Sequence, residues 1–428
     1  MEINGANSIN GEIKIPGDKS ISHRSAIISS ITKDTIVIKN YLFSQDCIRT
    51  LEVLRKLGVK IEKLDENLVI CGKGIEGFRE PNDILYAGNS GTTIRLLPGI
   101  LSATNFMSIL SGDSSVNNRP MARIVEPLRK MGAQIYGREE NSKAPIVIFG
   151  NKNLKGRIFN TDISSAQVKS CITLAGLFAE GETEILQPRT SRDHTERMLE
   201  FFGANITFDG KQTKIIPDRQ LKGKNLFIPG DLSSAAYFIV ASLILKNSRI
   251  LIRDIGVNPT RCHFLELIEK MGARIKITNK RIMNNEPIAD IESESSMLNG
   301  QIIDKEFIPN IIDEIPVLCV AAAFAEGRTE ISGAEELRFK ESNRISAIAS
   351  QFKKAGVDIE EKEDGFIIYG NSKLKISEGP LESFKDHRIA MSLAILGLRS
   401  RGKIKIMDSD YIDTSFPSFK YELKKSLN

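Results

Sequence analysis

A five-fold repeat constrains the fold of this chain more than any other feature of its sequence. Each copy is an amphipathic helix that ends in glycine and leads into a strand, and successive glycines lie 69 to 84 residues apart. Glycine readily adopts the left-handed conformation that closes a helix, so we expect each to be a C-terminal cap. The repeat predicts a series of α/β modules around residues 53–59, 127–133, 198–204, 267–273 and 351–357.

A sixth copy is expected at the end of the chain. The helix-like segment 419–425 stands there without a following strand, and we expect residues 13–15 to supply that strand from the N-terminus. The sequence IPGD at residues 15–18 recurs at residues 228–231, half a chain later. We interpret these as two crossings between domains of three modules each. The predicted domains are residues 1–17 plus 230–428, and residues 18–229.

The composition excludes several classes of protein. The 428 residues carry a formal net charge of +5, spread along the chain without basic runs interleaved with aromatic residues. Nucleic acid is therefore a weak candidate, and small acidic ligands explain the dispersed excess of positive charge equally well. Five scattered cysteines without a CxxC pair favour reduced thiols in a cytoplasmic protein, with no structural metal. The sequence starts without a secretory signal, and its apolar runs are too short to span a membrane.

The segment from the Pro16-Gly17 turn through Arg24 predicts an anion site. Asp18 or Ser20 is expected to cap a helix whose first turns carry Lys19 and Arg24. Free N–H groups, the helix dipole and two cations would together suit a phosphate or a carboxylate. Taken alone, the segment is equally compatible with a basic helix start that faces water.

Three further helix starts are rich in small polar residues. GNSGTTIR at residues 88–95 lets a ligand approach the backbone at Gly91, and it is not a GxSxG elbow because Gly91 directly follows Ser90. The earlier sequence Gly17-Asp18-Lys19-Ser20 is not a Walker A loop, because Asp18 stands where that motif has glycine. Arg119-Pro120-Met121 predicts another helix start, with proline at its first position. SSAQVKS at residues 164–170 offers hydroxyls and an amide for a polyhydroxylated ring, although its serines also suit helix capping.

The last three segments contain carboxylates, and two of them also contain cations. Asp313 and Glu314 stand among apolar residues, a setting that can raise a pKa and produce a general base. In residues 338–344, Lys340 and Arg344 lie one turn apart if their helix begins early, which would place Glu341 in a cationic field. Further along the chain, Asp386-His387-Arg388 precedes an apolar helix that Asp386 is expected to cap.

Taken in order, these segments resemble the 5-enolpyruvylshikimate-3-phosphate synthase family of enolpyruvyl transferases. The matching stretches are IPGDKSISHR, GNSGTTIR, RPM, SSAQVKS, SRDHTERM, IDEIP, LRFKESNR and DHRIAM. The resemblance implies an α/β fold, a two-domain inside-out barrel of six βαβαββ repeats with the active site in the cleft between the domains. It implies transfer of the carboxyvinyl group of phosphoenolpyruvate to the 5-hydroxyl of shikimate 3-phosphate, without metal or organic cofactor, by a monomeric enzyme.

The resemblance also implies roles for individual residues. As catalytic groups it implies that Asp313 takes the hydroxyl proton, while Glu341, assisted by Lys19, protonates the methylene carbon. For shikimate 3-phosphate it implies contacts from Lys19, Ser20, Arg24, Ser165, Ala166, Gln167, Ser191, Asp313 and Lys340. For phosphoenolpyruvate it implies contacts from Lys19, Gly91, Arg119, Gln167, Arg344 and Arg388. The sequence departs from many family members at Thr414, where they carry a lysine.

Two alternatives remain at this stage. The sister transferase that acts on UDP-N-acetylglucosamine shares the fold, but normally uses a loop cysteine, and none occurs between Gly91 and Ala133. A noncatalytic anion-binding or RNA-binding protein built from the same module would explain the cations. It would leave Asp313 and Glu341, which stand among those cations, unexplained.

Overall fold

Buried apolar helices alternate with amphipathic ones along the chain. The computed structural model describes residues 1–217 and 220–427. Its α-helices are α1 (Lys19–Ser30), α2 (Gln45–Lys56), α3 (Gly91–Leu101), α4 (Ser114–Asn117), α5 (Ala122–Lys130), α6 (Arg138–Asn141), α7 (Ala166–Gly176), α8 (His194–Phe201), α9 (Leu232–Ile244), α10 (His263–Lys270), α11 (Ile308–Ile311), α12 (Ile315–Ala323), α13 (Arg344–Lys354), α14 (His387–Gly397) and α15 (Phe419–Ser426).

The strands are mostly short and half-buried. In chain order they are β1 (Glu2–Asn4), β2 (Asn10–Ile13), β3 (Thr35–Lys39), β4 (Lys60–Leu64), β5 (Asn67–Cys71), β6 (Leu85–Tyr86), β7 (Met107–Ser111), β8 (Gln134–Gly137), β9 (Lys143–Phe149), β10 (Ile158–Asn160), β11 (Thr183–Leu186), β12 (Ile206–Phe208), β13 (Gln212–Ile215), β14 (Leu226–Phe227), β15 (Arg249–Gly256), β16 (Arg274–Met283), β17 (Glu286–Glu294), β18 (Ile302–Ile303), β19 (Gly327–Ile331), β20 (Asp358–Lys362), β21 (Gly365–Gly370), β22 (Gly379–Glu382) and β23 (Lys403–Met407).

One sheet pattern recurs through the described residues. Each of the six sheets contains a parallel pair, and one strand of that pair has an antiparallel neighbour on its other side. A parallel pair needs a crossover, and a buried helix such as α3 or α7 provides it. Antiparallel neighbours need only a short connection. The predicted α/β repeat is therefore present as repeated sheet-and-helix modules.

The repeated glycines close the outer helices. All five have positive φ, between 85° and 101°, at Gly58, Gly132, Gly203, Gly272 and Gly356. Each follows the C-cap of its helix by one residue and precedes a strand by one or two residues. The prediction of left-handed caps is confirmed, because a residue with a Cβ would be strained in this conformation.

The sixth module is completed differently from our prediction. Strand β1 (Glu2–Asn4) pairs antiparallel with β23, beside β22, whereas residues 10–13 form β2 and pair parallel with β15 in another sheet. Both runs have an apolar residue available for the core, so periodicity alone did not indicate which of them would join β23. The chain ends still meet, since Ile9 and Leu427 form an isolated bridge.

The chain divides into two compact units. The first contains Met1–Pro16, Pro229–Arg281 and the described residues from Pro287 onward, and the second contains Gly17–Ile228 and Ile282–Glu286. The main breaks fall in the two IPGD sequences. The prediction placed residues 282–286, the tip of the β16–β17 hairpin, in the domain that contains residues 230–428. They belong to the second unit instead, because their polar groups have partners on α8. Arg197 Nη1 donates to Asn285 O at 3.0 Å, and His194 Nδ1 lies 2.7 Å from Glu286 Oε1.

Each unit has its own apolar core, centred on helices that are buried on all sides. Every residue of α9 and of α12 is buried, and these two helices and α14 contact one another in the first unit. In the second unit α3 contacts both α1 and α7. Helices that are apolar around their whole circumference must pack inside. In the described residues no helix is long and apolar enough to cross a membrane.

Candidate active site

The candidate residues gather at the N-termini of the buried helices. Asp18, Ser90 and Ser165 cap α1, α3 and α7 in the second unit, and Asp231 and Asp386 cap α9 and α14 in the first. The first turn of a helix has unpaired N–H groups and a partial positive charge, which favour anions. The fold therefore provides anion-binding groups in each unit before any side chain is considered.

Lys19 is the first residue of α1. Of the two predicted caps, Asp18 is the one used, and its Oδ1 accepts the Ile21 N–H at 2.9 Å. The ammonium of Lys19 forms an ion pair with the carboxylate of Asp46 from α2, and both side chains are largely buried. Asp46 thus orients Lys19 at the helix start.

Arg24 is held one turn further into α1 by neutral groups. Its Nε donates to Thr195 Oγ1 at 2.7 Å and its Nη2 to Ser170 Oγ at 3.0 Å, while Nη1 donates to Ser20 O at 3.0 Å. The side chain is buried. Burial lowers the pKa of Arg24 to about 10, against the opposing field of Glu196. Arg24 remains charged at neutral pH.

Gly91 leaves room for the tip of the Arg119 side chain. A Cβ at this position would lie 2.8 Å from Arg119 Nη1, and Arg119 Nη2 donates to Asn89 Oδ1 at 3.1 Å. The loop before α3 and the arginine therefore pack directly on each other. The predicted role of Pro120 as the first helical residue is wrong, because α5 begins at Ala122.

Gln167 joins the start of α7 to α3. Arg95 Nη1 donates to Gln167 Oε1 at 2.7 Å, and Gln167 Nε2 donates to Thr92 Oγ1 at 3.2 Å. Ala166 is the first residue of α7, and Ser165 Oγ accepts the Val168 N–H at 3.4 Å. In the second unit, the structure thus brings together the candidate site residues of two segments, 88–95 and 164–170.

Sequence reasoning missed a chain of buried groups that joins α1 to the loop before α3. His23 Nδ1 lies 2.7 Å from Thr50 Oγ1, and Thr50 Oγ1 lies 2.7 Å from Thr93 Oγ1. Thr93 donates in turn to Ser90 Oγ at 2.7 Å. Burial holds the pKa of His23 well below its usual range, so the ring is neutral. Its Nε2 has no hydrogen-bond partner. We therefore assign the proton to Nδ1, because a buried donor without a partner is the costlier arrangement.

In the first unit, Arg344 at the start of α13 lies among three carboxylates. Its Nε donates to Asp386 Oδ2 at 2.8 Å, its Nη2 donates to Glu341 Oε2 at 2.5 Å, and Nη1 lies 3.7 Å from Asp313 Oδ1. The guanidinium is 1% exposed. Burial opposes its charge, but the fields of Asp386 and Glu341 prevail and raise the pKa of Arg344 above its ordinary value.

Arg388 connects the N-termini of α14 and α12. Its Nη1 donates to Asp313 O at 2.8 Å, its Nε lies 3.6 Å from Asp313 Oδ1, and its backbone N–H donates to Asp386 Oδ1 at 2.9 Å. Burial disfavours the charge, yet the field of Asp313 outweighs it and raises the pKa of Arg388. Asp313 therefore faces two guanidinium groups. Its apolar neighbours in the sequence had indicated an apolar setting, and that expectation is wrong.

Glu314 differs from its neighbour Asp313. It is fully buried, and Ser233 Oγ donates to its Oε1. Arg261 Nη2 donates to Ser233 Oγ and to Asp231 Oδ1, both at 2.7 Å. These groups bond to one another inside the unit. Of the two carboxylates, only Asp313 lies against the arginines of α13 and α14.

Lys340 precedes α13 and does not belong to it. The helix begins at Arg344, after a 3₁₀ helix at Glu335–Phe339, and Lys340 itself is extended, so the predicted early start is wrong. Lys340 is partly buried. Burial lowers its pKa to about 8, against the opposing field of Asp313. A nearby anion would favour its protonated form.

Comparison with known proteins decides the family. Residues 3–423 match the family model described as EPSP synthase (3-phosphoshikimate 1-carboxyvinyltransferase). The chain belongs to this family. A relative from Petrotoga mobilis, named 3-phosphoshikimate 1-carboxyvinyltransferase, is 49% identical over 98% of this chain and 97% of its own length. A relative of the same name from Geobacter metallireducens is 48% identical over 97% of this chain and 96% of its own length.

A solved structure shows the same fold. The structure of an EPSP synthase from Acinetobacter baumannii matches this chain with 42% sequence identity and a TM-score of 0.89. The match covers 100% of this chain and 98% of that protein's chain. The predicted two-domain inside-out α/β fold is confirmed. The EPSP synthase family consists of transferases of the shikimate pathway that use phosphoenolpyruvate and shikimate 3-phosphate. The relatives' names specify 3-phosphoshikimate, and so favour this family over the nucleotide-sugar transferase or a noncatalytic binding protein.

The described residues contain no cluster of three or more His, Cys, Asp or Glu side chains arranged to hold a metal ion. The cationic groups at the helix starts are the available partners for anionic substrates.

Proposed function

We propose that this chain transfers the carboxyvinyl group of phosphoenolpyruvate to the 5-hydroxyl of shikimate 3-phosphate and releases phosphate. Membership of the EPSP synthase family supports the reaction class and its substrates. The observation that carries the assignment is the position of Asp313, whose carboxylate lies 3.6 Å from Arg388 Nε and 3.7 Å from Arg344 Nη1. A carboxylate beside these arginines offsets part of their attraction for an anion, but it can accept the proton that the reaction removes from a hydroxyl.

In the proposed reaction, Asp313 accepts the proton of the 5-hydroxyl as its oxygen attacks C2 of phosphoenolpyruvate. Glu341, assisted by Lys19, delivers a proton to the methylene carbon, which gives a tetrahedral ketal phosphate. Loss of that proton and of phosphate restores the double bond. Arg344 contacts both Glu341 and Asp313, and so fixes the two carboxylates relative to each other.

Substrate charge explains the cations. Each substrate carries a phosphate and a carboxylate, and two such anions would repel each other strongly away from water. We assign phosphoenolpyruvate to Lys19, Gly91, Arg119, Gln167, Arg344 and Arg388. We assign shikimate 3-phosphate to Lys19, Ser20, Arg24, Ser165, Ala166, Gln167, Ser191, Asp313 and Lys340. Guanidinium groups suit planar carboxylates and phosphates because they donate two parallel hydrogen bonds.

Phosphate release from phosphoenolpyruvate tests the proposal. The assay contains either shikimate 3-phosphate or UDP-N-acetylglucosamine as acceptor and no added metal. We expect release only with shikimate 3-phosphate. Release only with the nucleotide sugar would assign the sister activity, and release with neither would favour a noncatalytic binding protein. Sedimentation of the same sample tests the proposed monomer.

Asp313→Ala tests the general base. We expect turnover to be largely abolished while the fold remains, because Arg344 keeps Asp386 and Glu341 as partners. Near-normal turnover in a folded Asp313→Ala variant would remove Asp313 from the mechanism.

A further inference from the structure

A buried ion pair in the second unit has no part in the proposed reaction. Lys169 Nζ of α7 lies 3.0 Å from Glu196 Oε1 of α8, and the two side chains are 1% and 0% exposed. Thr213 Oγ1 also donates to Glu196 Oε1, at 3.2 Å. A buried ion pair is seldom more stable than apolar residues of the same volume. Its presence therefore calls for an explanation other than stability.

Lys169, the cation of this pair, closes a ring of hydrogen bonds between two loops. Lys169 Nζ donates to Ser191 O at 3.4 Å, and Ser191 Oγ donates to Gln187 Oε1 at 2.5 Å. Gln187 Nε2 donates to Ser165 O at 3.3 Å, and the backbone N–H of Lys169 donates to the same carbonyl at 3.0 Å. The ring thus passes through Ser165 and Ser191, two of the three serines that we assign to shikimate 3-phosphate.

We infer that Lys169, held in place by Glu196, is a positioning residue that fixes Ser165 and Ser191 for the acceptor substrate. An apolar side chain would fill the same volume but could not donate to Ser191 O. Glu196 contacts the ammonium and keeps it directed at the loop. The same two helices also hold Arg24, through Ser170 and Thr195. This inference rests on the proposed function, which supplies the roles of the two serines.

The double variant Lys169→Met/Glu196→Gln tests the inference. It removes both charges together, so neither is left buried without its partner. Because the loops lose a charged hydrogen bond, we expect the KM for shikimate 3-phosphate to rise roughly tenfold. We expect the KM for phosphoenolpyruvate and kcat to change by no more than about twofold. A purely structural role would lower the melting temperature and leave the two KM values in their original ratio.

The matched control is Lys155→Met/Glu180→Gln in the same unit. This ion pair is about half exposed, at 53% and 55%, and lies outside the ring. We expect both KM values and kcat to remain at wild-type levels. An equal rise in this control would show that the effect does not come from the ring.

A second variant keeps the test decisive if the double variant does not fold. Gln187→Leu opens the ring at a neutral link, and it too should raise the KM for shikimate 3-phosphate selectively. Wild-type protein is measured alongside: if it shows no release dependent on shikimate 3-phosphate, the proposed function fails. If wild type is active and the folded variants keep its KM for shikimate 3-phosphate, the inference alone is overturned.

Discussion

The arginines of the two units differ in what surrounds their charge. Arg344 in the first unit contacts the carboxylates of Asp386 and Glu341, whereas the hydrogen bonds of Arg24 in the second unit go to two hydroxyls and a carbonyl. The pKa values follow this difference. Burial lowers that of Arg24 to about 10, while carboxylates raise that of Arg344 despite burial. Burial by itself therefore does not determine the behaviour of these cations.

The different surroundings of Arg344 and Arg24 have a functional consequence. Carboxylates fix Arg344 firmly but offset part of its positive field, whereas hydroxyls orient Arg24 without adding negative charge. We expect the first unit to supply rigid geometry for the reacting groups. We expect the second unit to supply more of the net attraction for a phosphate.

Arg344→Met should have the largest effect on the molecule. It leaves Asp386 and Glu341 without their buried cation, and breaking a buried ion pair from one side costs about 3–5 kcal/mol. Urea unfolding measures the loss, and turnover should disappear as well. A loss below about 1 kcal/mol, the usual size for an exposed pair, would contradict the contrast between the units.

Arg24→Met should destabilise the protein less. Its partners are hydroxyls and a carbonyl, so the expected loss is about 1–3 kcal/mol. The KM for shikimate 3-phosphate should nevertheless rise at least tenfold, since a buried cation is removed from the proposed phosphate ligands. Equal destabilisation by Arg24→Met and Arg344→Met would show that carboxylate partners make no difference.

Lys340 gives a prediction about pH. Its folded pKa of about 8 lies below the ordinary lysine value, so above pH 8 the folded protein binds fewer protons than the unfolded chain. The contribution of Lys340 to stability therefore improves as pH rises from about 8 towards the ordinary value. Anion binding should weaken over the same pH range, because the Lys340 side chain of the free protein loses its positive charge. The KM for shikimate 3-phosphate should rise above pH 8 in wild type.

Lys340→Arg is the control for that pH profile, since arginine stays charged throughout the range. The rise in KM near pH 8 should be absent in this variant. A profile identical to that of wild type would assign the titration to another group.

Arg338→Met should have the smallest effect. Arg338 belongs to the same cationic segment as Arg344, but it lies beside β20 and β21, where it donates to Glu363 O, Lys362 O and Glu361 Oε1. We expect a loss of about 1 kcal/mol or less and unchanged kcat and KM. A large kinetic effect would mean that charge within the segment matters more than position.

Two failures of sequence reasoning about charged residues share one cause. The apolar neighbours of Asp313 in the sequence indicated an apolar setting, but its contacts come from Arg344 and Arg388, more than thirty residues away. Lys169 and Glu196 were passed over because charged residues in helices usually face water. In each case the deciding partner is distant in the chain.

The sequence by itself determined the local features. Glycine spacing predicted the five left-handed caps, Asp386 was correctly expected to cap a helix, and Asp18 was one of two expected caps for α1. These features follow from the sequence because backbone conformation and capping depend on residues a few positions apart. Only the tertiary structure decided that β1, and not residues 13–15, completes the sixth sheet, and which carboxylate faces which arginine. Strand pairing and buried ion pairs depend on burial and on distant partners, which local sequence patterns do not encode.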